Sequence, residues 1–178
     1  MAILVSQLQK EIYLNQTLII KVMNDSLLLP GASFLLPYSH RYVLRVYYED
    51  TDSGQIVYHS NYLKFAERGR TEMLRLFGFD SLELERVYQS APVVHSLNIK
   101  YLKPAKLDDT LLVETFVESV AHASVLLKQN IMLVRKQSIV LDIVTMNLKI
   151  VFINKKGSLS RFPANVKMIM RKLIRKER

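Results

Sequence analysis

The sequence predicts an α+β fold in which one long amphipathic helix packs on an antiparallel sheet of five strands. Three observations carry that expectation. The run from Tyr62 to Phe77 has the period of a half-buried helix. Four later segments read as strands, each joined to the next by a short polar turn. The chain has 178 residues, 49% apolar and 23% charged, which is the size and composition of one globular domain and excludes a disordered or collagen-like chain. Cysteine is absent, which excludes a disulfide scaffold, a thiolate nucleophile and Cys-ligated zinc; a reducing compartment fits.

Taken in order, residues 1–40 lack a clean period, contain Pro30-Gly31 and Pro37, and read as an extension outside the core. Met23 opens a second, polar-led start, so residues 1–22 are expected to be an upstream reading of the chain. Tyr42–Tyr48, rich in β-branched and aromatic residues, reads as the first strand. Asp50-Thr51-Asp52-Ser53-Gly54 is turn chemistry. In the long helix Tyr62, Phe65, Ala66, Gly69, Met73, Leu76 and Phe77 form the apolar stripe, with Ser60 or Asn61 as the cap and Gly78 as the stop. Ser81–Glu85 reads as a short second helix.

Strands are then expected at Pro92–Tyr101, Thr110–Val120, Ser124–Val134 and Ile139–Ile153. Pro104 with Asp108-Asp109, Ala121-His122-Ala123 and Arg135–Ser138 form the turns between them. Sequential strands with short links imply antiparallel pairing. Residues 164–178 form a basic tail, read as a helix with a solvated basic side. The expected division is therefore 1–40 extension, 41–163 core domain, 164–178 tail.

The formal charge is +9, and the stretch from Lys155 to Arg178 carries +8 of it. The body is close to neutral, so nucleic-acid binding by the whole fold gains no support. The tail leaves room for an acidic partner or a peripheral membrane surface. No apolar run reaches the ~20 residues of a spanning helix, and no basic residue precedes the first apolar run as in a signal peptide. A cytoplasmic protein is expected.

Reactive side chains cluster in one place. Tyr48, Glu49, Asp50, Asp52, Tyr58 and His59 fall between the first strand and the long helix. A carboxylate in such a turn can act as a general base or nucleophile. The adjoining helix start offers unpaired N–H groups and a partial positive charge to a developing oxyanion. The same residues would serve equally as an acidic turn that caps a helix. His40, His95 and His122 are scattered singly without metal spacing, and there is no phosphate-binding loop, Rossmann fingerprint or serine nucleophile elbow. No metal and no other cofactor is expected.

As a whole, Tyr47-Tyr48-Glu49-Asp50-Thr51-Asp52-Ser53-Gly54-Gln55-Ile56-Val57-Tyr58-His59-Ser60-Asn61-Tyr62 resembles the active-site motif of hotdog-fold acyl-CoA thioesterases. The resemblance is to the 4-hydroxybenzoyl-CoA thioesterase group, most closely its Tol-Pal-associated members. Phe65–Leu74 and Tyr101–Asp109 resemble the helix and the later strand and turn of that family, in the same order. The resemblance runs from about Tyr42 to about Pro163. It implies the hotdog fold, a long helix wrapped by a curved antiparallel sheet, and dimers or homotetramers with sites at the dimer interface.

The resemblance further implies that Asp52 is the catalytic carboxylate, attacking the thioester or activating water, and that the His59 backbone N–H is the oxyanion donor. The His59 side chain and Tyr48 occupy motif positions implied to orient carboxylate or substrate. Glu67 matches a helix carboxylate of the family's motif, expected to be structural and paired with Arg70 one turn on. Tyr58, Glu67 and Lys103 are the candidate substrate-side residues; Lys100, Lys103 and Lys106 lie near one another in the sequence and either meet the CoA phosphates or are simply solvated. Gln55 stands where the family usually has glycine, while Gly54 is kept. Either Gly54 alone makes the turn or the loop differs, and activity is expected to survive. The expected function is hydrolysis of acyl-CoA to a carboxylic acid and free CoA. The alternatives are a thioesterase acting on acyl carrier protein and a cell-envelope (Tol-Pal) interaction protein with weak activity.

Overall fold

The computed structural model describes residues 28–79 and 81–174. The expected start at Met23 and the segment 1–22 lie outside them, as do residues 175–178 of the tail. In chain order the elements are β1 (Ser33–Leu36), β2 (Ser39–Arg45), a 3₁₀ turn (Tyr48–Asp50), α1 (Asn61–Leu76) and α2 (Ser81–Tyr88). They continue with β3 (Ser90–Tyr101), β4 (Thr110–Val120), β5 (Ser124–Arg135), β6 (Ser138–Asn154) and α3 (Ala164–Lys172). The strands form one antiparallel sheet in the order β1-β2-β4-β5-β6-β3.

The long helix and the wrapped antiparallel sheet are as expected, but the sheet has six strands rather than five. The additional strand is β1, which pairs with β2 from Ser33↔Tyr42 to Leu36↔Ser39. All its residues are half-buried, so it offers no alternation of apolar and polar positions to read. Ser33–Leu36 therefore belongs to the sheet although the sequence assigns it to the extension. Leu28 and Ala32 also pack on a small outer-face cluster of Val43, Leu112, Met132 and Val134.

The first strand also lies further upstream than expected. β2 ends at Arg45, and Tyr47 and Tyr48 project into solvent at 58% and 81% exposure. Their aromatic character mimicked a strand continuation; the chain had already turned.

Helix α1 buries Tyr62, Phe65, Ala66, Gly69 and Met73, the stripe expected from its period, but its last members differ: Leu76 is exposed and Phe77, at the C-cap, is half-buried. It ends as expected. Gly78 adopts φ +82°, its N–H donates to Arg75 C=O at 2.9 Å, and Phe79 N–H donates to Leu74 C=O at 3.0 Å. Those two bonds make a Schellman stop, which favours glycine in its left-handed position. Inward residues of the middle strands, Leu111, Val113, Leu127 and Ile131, complete the core with the helix stripe.

One core position is polar. His40 is fully buried on β2, with Nε2 2.9 Å from Ser33 Oγ and Nδ1 without a partner among the described residues. Burial disfavours the charged ring and lowers its pKa from 6.5 to about 4. The unfolded chain therefore takes up the proton first as pH falls. The stability that the neutral ring contributes is full above 6.5 and is lost towards 4. We expect urea unfolding to show a loss of about 2 kcal/mol from about pH 7.5 to about pH 5 through this group. His40→Gln should flatten that slope; an unchanged slope would place the acid sensitivity elsewhere.

Candidate active site

The segment between β2 and α1 is tied down before it presents any reactive group. Asp50 is buried, and its Oδ2 accepts Tyr47 N–H at 2.9 Å. Its carbonyl accepts Tyr58 N–H at 2.9 Å and Asn61 Nδ2 at 2.9 Å. Those bonds fasten the base of the loop to the first residue of α1. Asn61 thus serves the loop, and Ser60, at the cap position, makes no side-chain capping bond.

Between these anchors the chain makes a miniature hairpin. Thr51 bridges Val57, Asp52 N–H donates to Ile56 C=O at 3.0 Å, and Gln55 N–H donates to Asp52 C=O at 2.9 Å. A tight turn followed by a left-handed residue is a common three-residue hairpin loop. The left-handed residue here is Gln55, at φ +60°. Gly54 does not supply that conformation, so the alternative in which it alone makes the turn is not what the structure has. The loop keeps the backbone shape that suits glycine and imposes it on glutamine, at a cost of about 1–2 kcal/mol.

Asp52 is exposed at the head of this hairpin. Its Oδ1 accepts Gly54 N–H at 2.8 Å, which orients the carboxylate from within the loop. A Cβ on Gly54 would stand 3.0 Å from that oxygen, a tight contact that the carboxylate would relieve by shifting a few tenths of an ångström. Neither His59 nor Tyr48 hydrogen-bonds Asp52 among the described residues. The Tyr48 side chain is exposed, and its carbonyl takes Thr51 Oγ1 at 3.0 Å.

His59 lies just before the cap residue Ser60 of α1. Its N–H has no backbone acceptor among the described residues. Its carbonyl accepts the Tyr101 hydroxyl at 3.2 Å. An aromatic group surrounds it: Tyr58 lies 4.4 Å from the His59 ring, Tyr101 6.3 Å, and Tyr101 is 5.9 Å from Tyr62, all between centroids. The buried Tyr62 hydroxyl accepts Ala105 N–H at 3.0 Å. Burial raises its pKa, opposed by that hydrogen bond and reinforced by the charges of Asp109 and Tyr101; it stays a neutral phenol. Val57 N–H donates to Ala105 C=O at 2.8 Å, so the 104–109 turn is clamped to both the loop and the helix.

Lys103 and Lys106 are exposed on that turn, and Lys106 is bridged to Ile56. Lys100 is exposed on β3. Asp109 is buried; it accepts Lys106 N–H at 2.9 Å and pairs with Arg135. Glu67 is on α1, one and a half turns further on, paired with Arg70 as expected. Arg70 Nη1 also donates to Gln129 Oε1 at 2.8 Å. Among the described residues no group of three His, Asp or Glu side chains is placed to hold a metal.

Sequence reasoning placed Asp50 in the reactive cluster without its anchoring role, and did not single out Tyr101 or Gln129. Gln129 left a signal: it is the one polar residue in the inward series Val125, Leu127, Gln129, Ile131. Tyr101 left none, because its partner His59 lies 42 residues away in the chain.

Comparison with known proteins shows the family. The thioesterase superfamily model matches residues 54–140. The chain is 44% identical over 124 residues to the acyl-CoA thioesterase YbgC of Haemophilus influenzae, covering 70% of this chain and 88% of that protein. It is 46% identical over 93 residues to the acyl-CoA thioester hydrolase YbgC of Escherichia coli O6:H1, covering 51% and 67%. Among solved structures, a probable thioesterase from Bartonella henselae superposes with a TM-score of 0.64 at 34% identity, covering 70% of this chain and 99% of that one.

The loop description gives a paired test. Gly54→Ala crowds the Asp52 carboxylate and should lower kcat/KM by roughly tenfold to a hundredfold. Gln55→Gly relaxes the backbone and should leave kcat/KM within about threefold, with a melting temperature unchanged or raised by up to about 3 °C. A large loss in Gln55→Gly would instead give the glutamine side chain a part in the reaction.

Proposed function

The chain belongs to the thioesterase superfamily, with the hotdog fold, and on that premise we propose that it hydrolyses acyl-CoA thioesters with Asp52 as the reacting carboxylate. One observation carries the assignment: the hairpin that bears Asp52 closes, through Tyr58 N–H to Asp50 C=O, onto the residues just before α1, where the His59 N–H has no backbone acceptor among the described residues. The thioester carbonyl oxygen accepts that N–H, and the helix end favours the negative charge that grows on it. Asp52 attacks the carbonyl carbon or takes the proton of an attacking water. The C–S bond breaks, a C–O bond to water oxygen takes its place, and the thiolate leaves as CoA. Lys103 and Lys106, exposed beside the loop, suit the phosphates of CoA.

A carrier-protein thioester is the second reading, favoured by the exposed Arg171 and Lys172 on α3, which suit an acidic partner. Thiol release from matched acyl-CoA and acyl carrier protein esters tests both readings with wild type and Asp52→Asn. Asparagine keeps the oxygen that accepts Gly54 N–H and removes the charge, so turnover should fall by ~100-fold or more. Equal rates for the two enzymes would sink the catalytic role of Asp52. Faster turnover of the carrier ester would select the second reading.

We also propose that two copies pair along β3. It is a long strand at the sheet edge with β6 on one side only, and such edges are normally covered, blunted or paired. Light scattering should give the mass of a dimer or a multiple of it; a monomer would overturn the pairing.

A further inference from the structure

The C-terminal stretch carries most of the net charge, and the fold gives that charge a fixed place. From Lys155 to Ile174 there are six basic residues, Lys155, Lys156, Arg161, Lys167, Arg171 and Lys172, and no acidic one. Lys167 is half-buried and the others are exposed. None of them enters an ion pair among the described residues. Lys155 and Lys156 stand on a hairpin, not on a loose end. Ile153 bridges Leu159, and Asn154 N–H donates to Ser158 C=O at 2.9 Å. Asn154 Oδ1 accepts Lys156 N–H at 2.9 Å and Ser158 N–H at 3.1 Å. Gly157 supplies the left-handed residue, at φ +77°. Ser160 N–H donates to Phe152 C=O at 2.8 Å and ties the return limb to the sheet.

This hairpin and the reactive loop lie at opposite ends of the sheet. Asn154 of β6 faces Ser90 at the start of β3, and Val144 faces Tyr101 at its end, where Tyr101 reaches His59. From Val144 to Asn154 the strand rises by roughly 30 Å. Two apolar side chains project among the cations. Leu159 on the hairpin is 68% exposed, and Met168 on the solvent side of α3 is 47% exposed. Glu85, just before β3, and Glu118, near the end of β4, are the acidic side chains exposed near this end among the described residues. The cations outnumber them.

We propose that this end of the molecule docks the protein on an anionic lipid bilayer, with the lysines and arginines at the phosphate headgroups and Leu159 and Met168 reaching the acyl boundary beneath them. Clustered cations beside exposed apolar side chains are what a negatively charged interface attracts. The shape favours a bilayer over an acidic protein. Protein partners bury a contiguous, closely packed patch, whereas here single apolar tips rise from a turn and from the outside of a helix. The apolar side of α3, with Val166, Met170 and Leu173, is already buried in the core. So α3 does not insert; only its solvent side meets the surface. No helix among the described residues is long and apolar enough to cross a membrane, and the docking is peripheral. It goes beyond the thioesterase reading and does not rest on it.

The test is co-sedimentation of the full chain with vesicles of phosphatidylcholine alone and of phosphatidylcholine with about one-third phosphatidylglycerol, at about 0.1 M salt. Wild type should bind the mixed vesicles and not the neutral ones, and about 0.5 M salt should release it. Each cation near an anionic surface strengthens binding about fivefold, so Lys155→Gln combined with Lys156→Gln should weaken it by roughly 25-fold. Leu159→Ser should weaken it about fivefold. All three positions are exposed and remote from Asp52, so both variants should cleave butyryl-CoA in solution at the wild-type rate. No binding to the mixed vesicles, or equal binding by wild type and the lysine variant, overturns the docking. Binding that Leu159→Ser leaves unchanged and that double-stranded DNA matches marks a general polyanion surface and overturns it too. So does capture of acyl carrier protein with no capture by vesicles, which gives the surface to an acidic protein. A wild type that binds the mixed vesicles, loses them in both variants and cleaves no ester keeps the docking and removes the thioesterase reading.

Discussion

The carbonyl of Asp50 accepts two hydrogen bonds, from Tyr58 N–H and Asn61 Nδ2, and the whole reactive segment depends on them. They close a loop that leaves β2 and must re-enter a helix, and they do so at a buried point where an unmade bond costs about 1–3 kcal/mol. The Asp50 carboxylate fixes the other side of the same peptide turn through Tyr47 N–H. With the base held twice, the hairpin that carries Asp52 has little freedom left. A strained residue can then persist in it, because the surroundings over-determine the backbone. Gln55 is such a residue. The clamp at Asp50 is therefore also the reason that a side chain is tolerated where the loop suits glycine.

A second set of polar contacts sets where α1 lies on the sheet. Gln129, fully buried, donates to Ala66 C=O at 3.1 Å and to Thr115 Oγ1 at 2.9 Å, and accepts from Arg70. One amide thus joins β4, β5 and two positions on the helix. Apolar packing alone fixes depth but tolerates sliding; satisfied buried bonds do not. Removing this amide would leave a helix carbonyl, a hydroxyl and a guanidinium short of partners at once. The helix register that it fixes also decides where the helix start stands relative to the loop, so a residue remote from Asp52 in sequence helps to place the start of α1.

Much of this was legible in the sequence, and the failures have physical causes. The helix declared itself through Tyr62, Phe65, Ala66, Gly69 and Met73, and its end through Gly78. The four later strands were each found with small shifts at their ends, because turn residues punctuate the links between them. β1 was missed because every residue on it is half-buried. The end of β2 was misjudged because Tyr47 and Tyr48 have strand chemistry and a solvent position. At the site, turn residues before an amphipathic helix marked the loop, and the family resemblance singled out Asp52 within it. Neither gave the left-handed state of Gln55, which is a property of hairpin closure. Neither gave Tyr101, which reaches His59 only after β3 folds back along α1.

The C-terminal segment changes meaning in the same way. Read as a sequence it is a basic tail, carrying +8 of the +9 net charge from Lys155 onward. Folded, it has two sides. Val166, Met170 and Leu173 are buried with the main core, while Arg171 and Lys172 face solvent. Phe162, just before the helix, donates its N–H to His122 C=O at 3.3 Å and stacks on Phe152. The periodic apolar residues were visible among the charges, but the charge dominated the reading because nothing in the sequence says which surface a short terminal helix meets. The sheet supplies that surface: α1 leaves the inner face over β5, β6 and β3 uncovered, and an exposed apolar row there is unfavourable in proportion to its area. α3 itself packs chiefly on β4, and only its Met170 reaches the end of that row. The apolar inner face of the sheet thus explains why the tail folds against it.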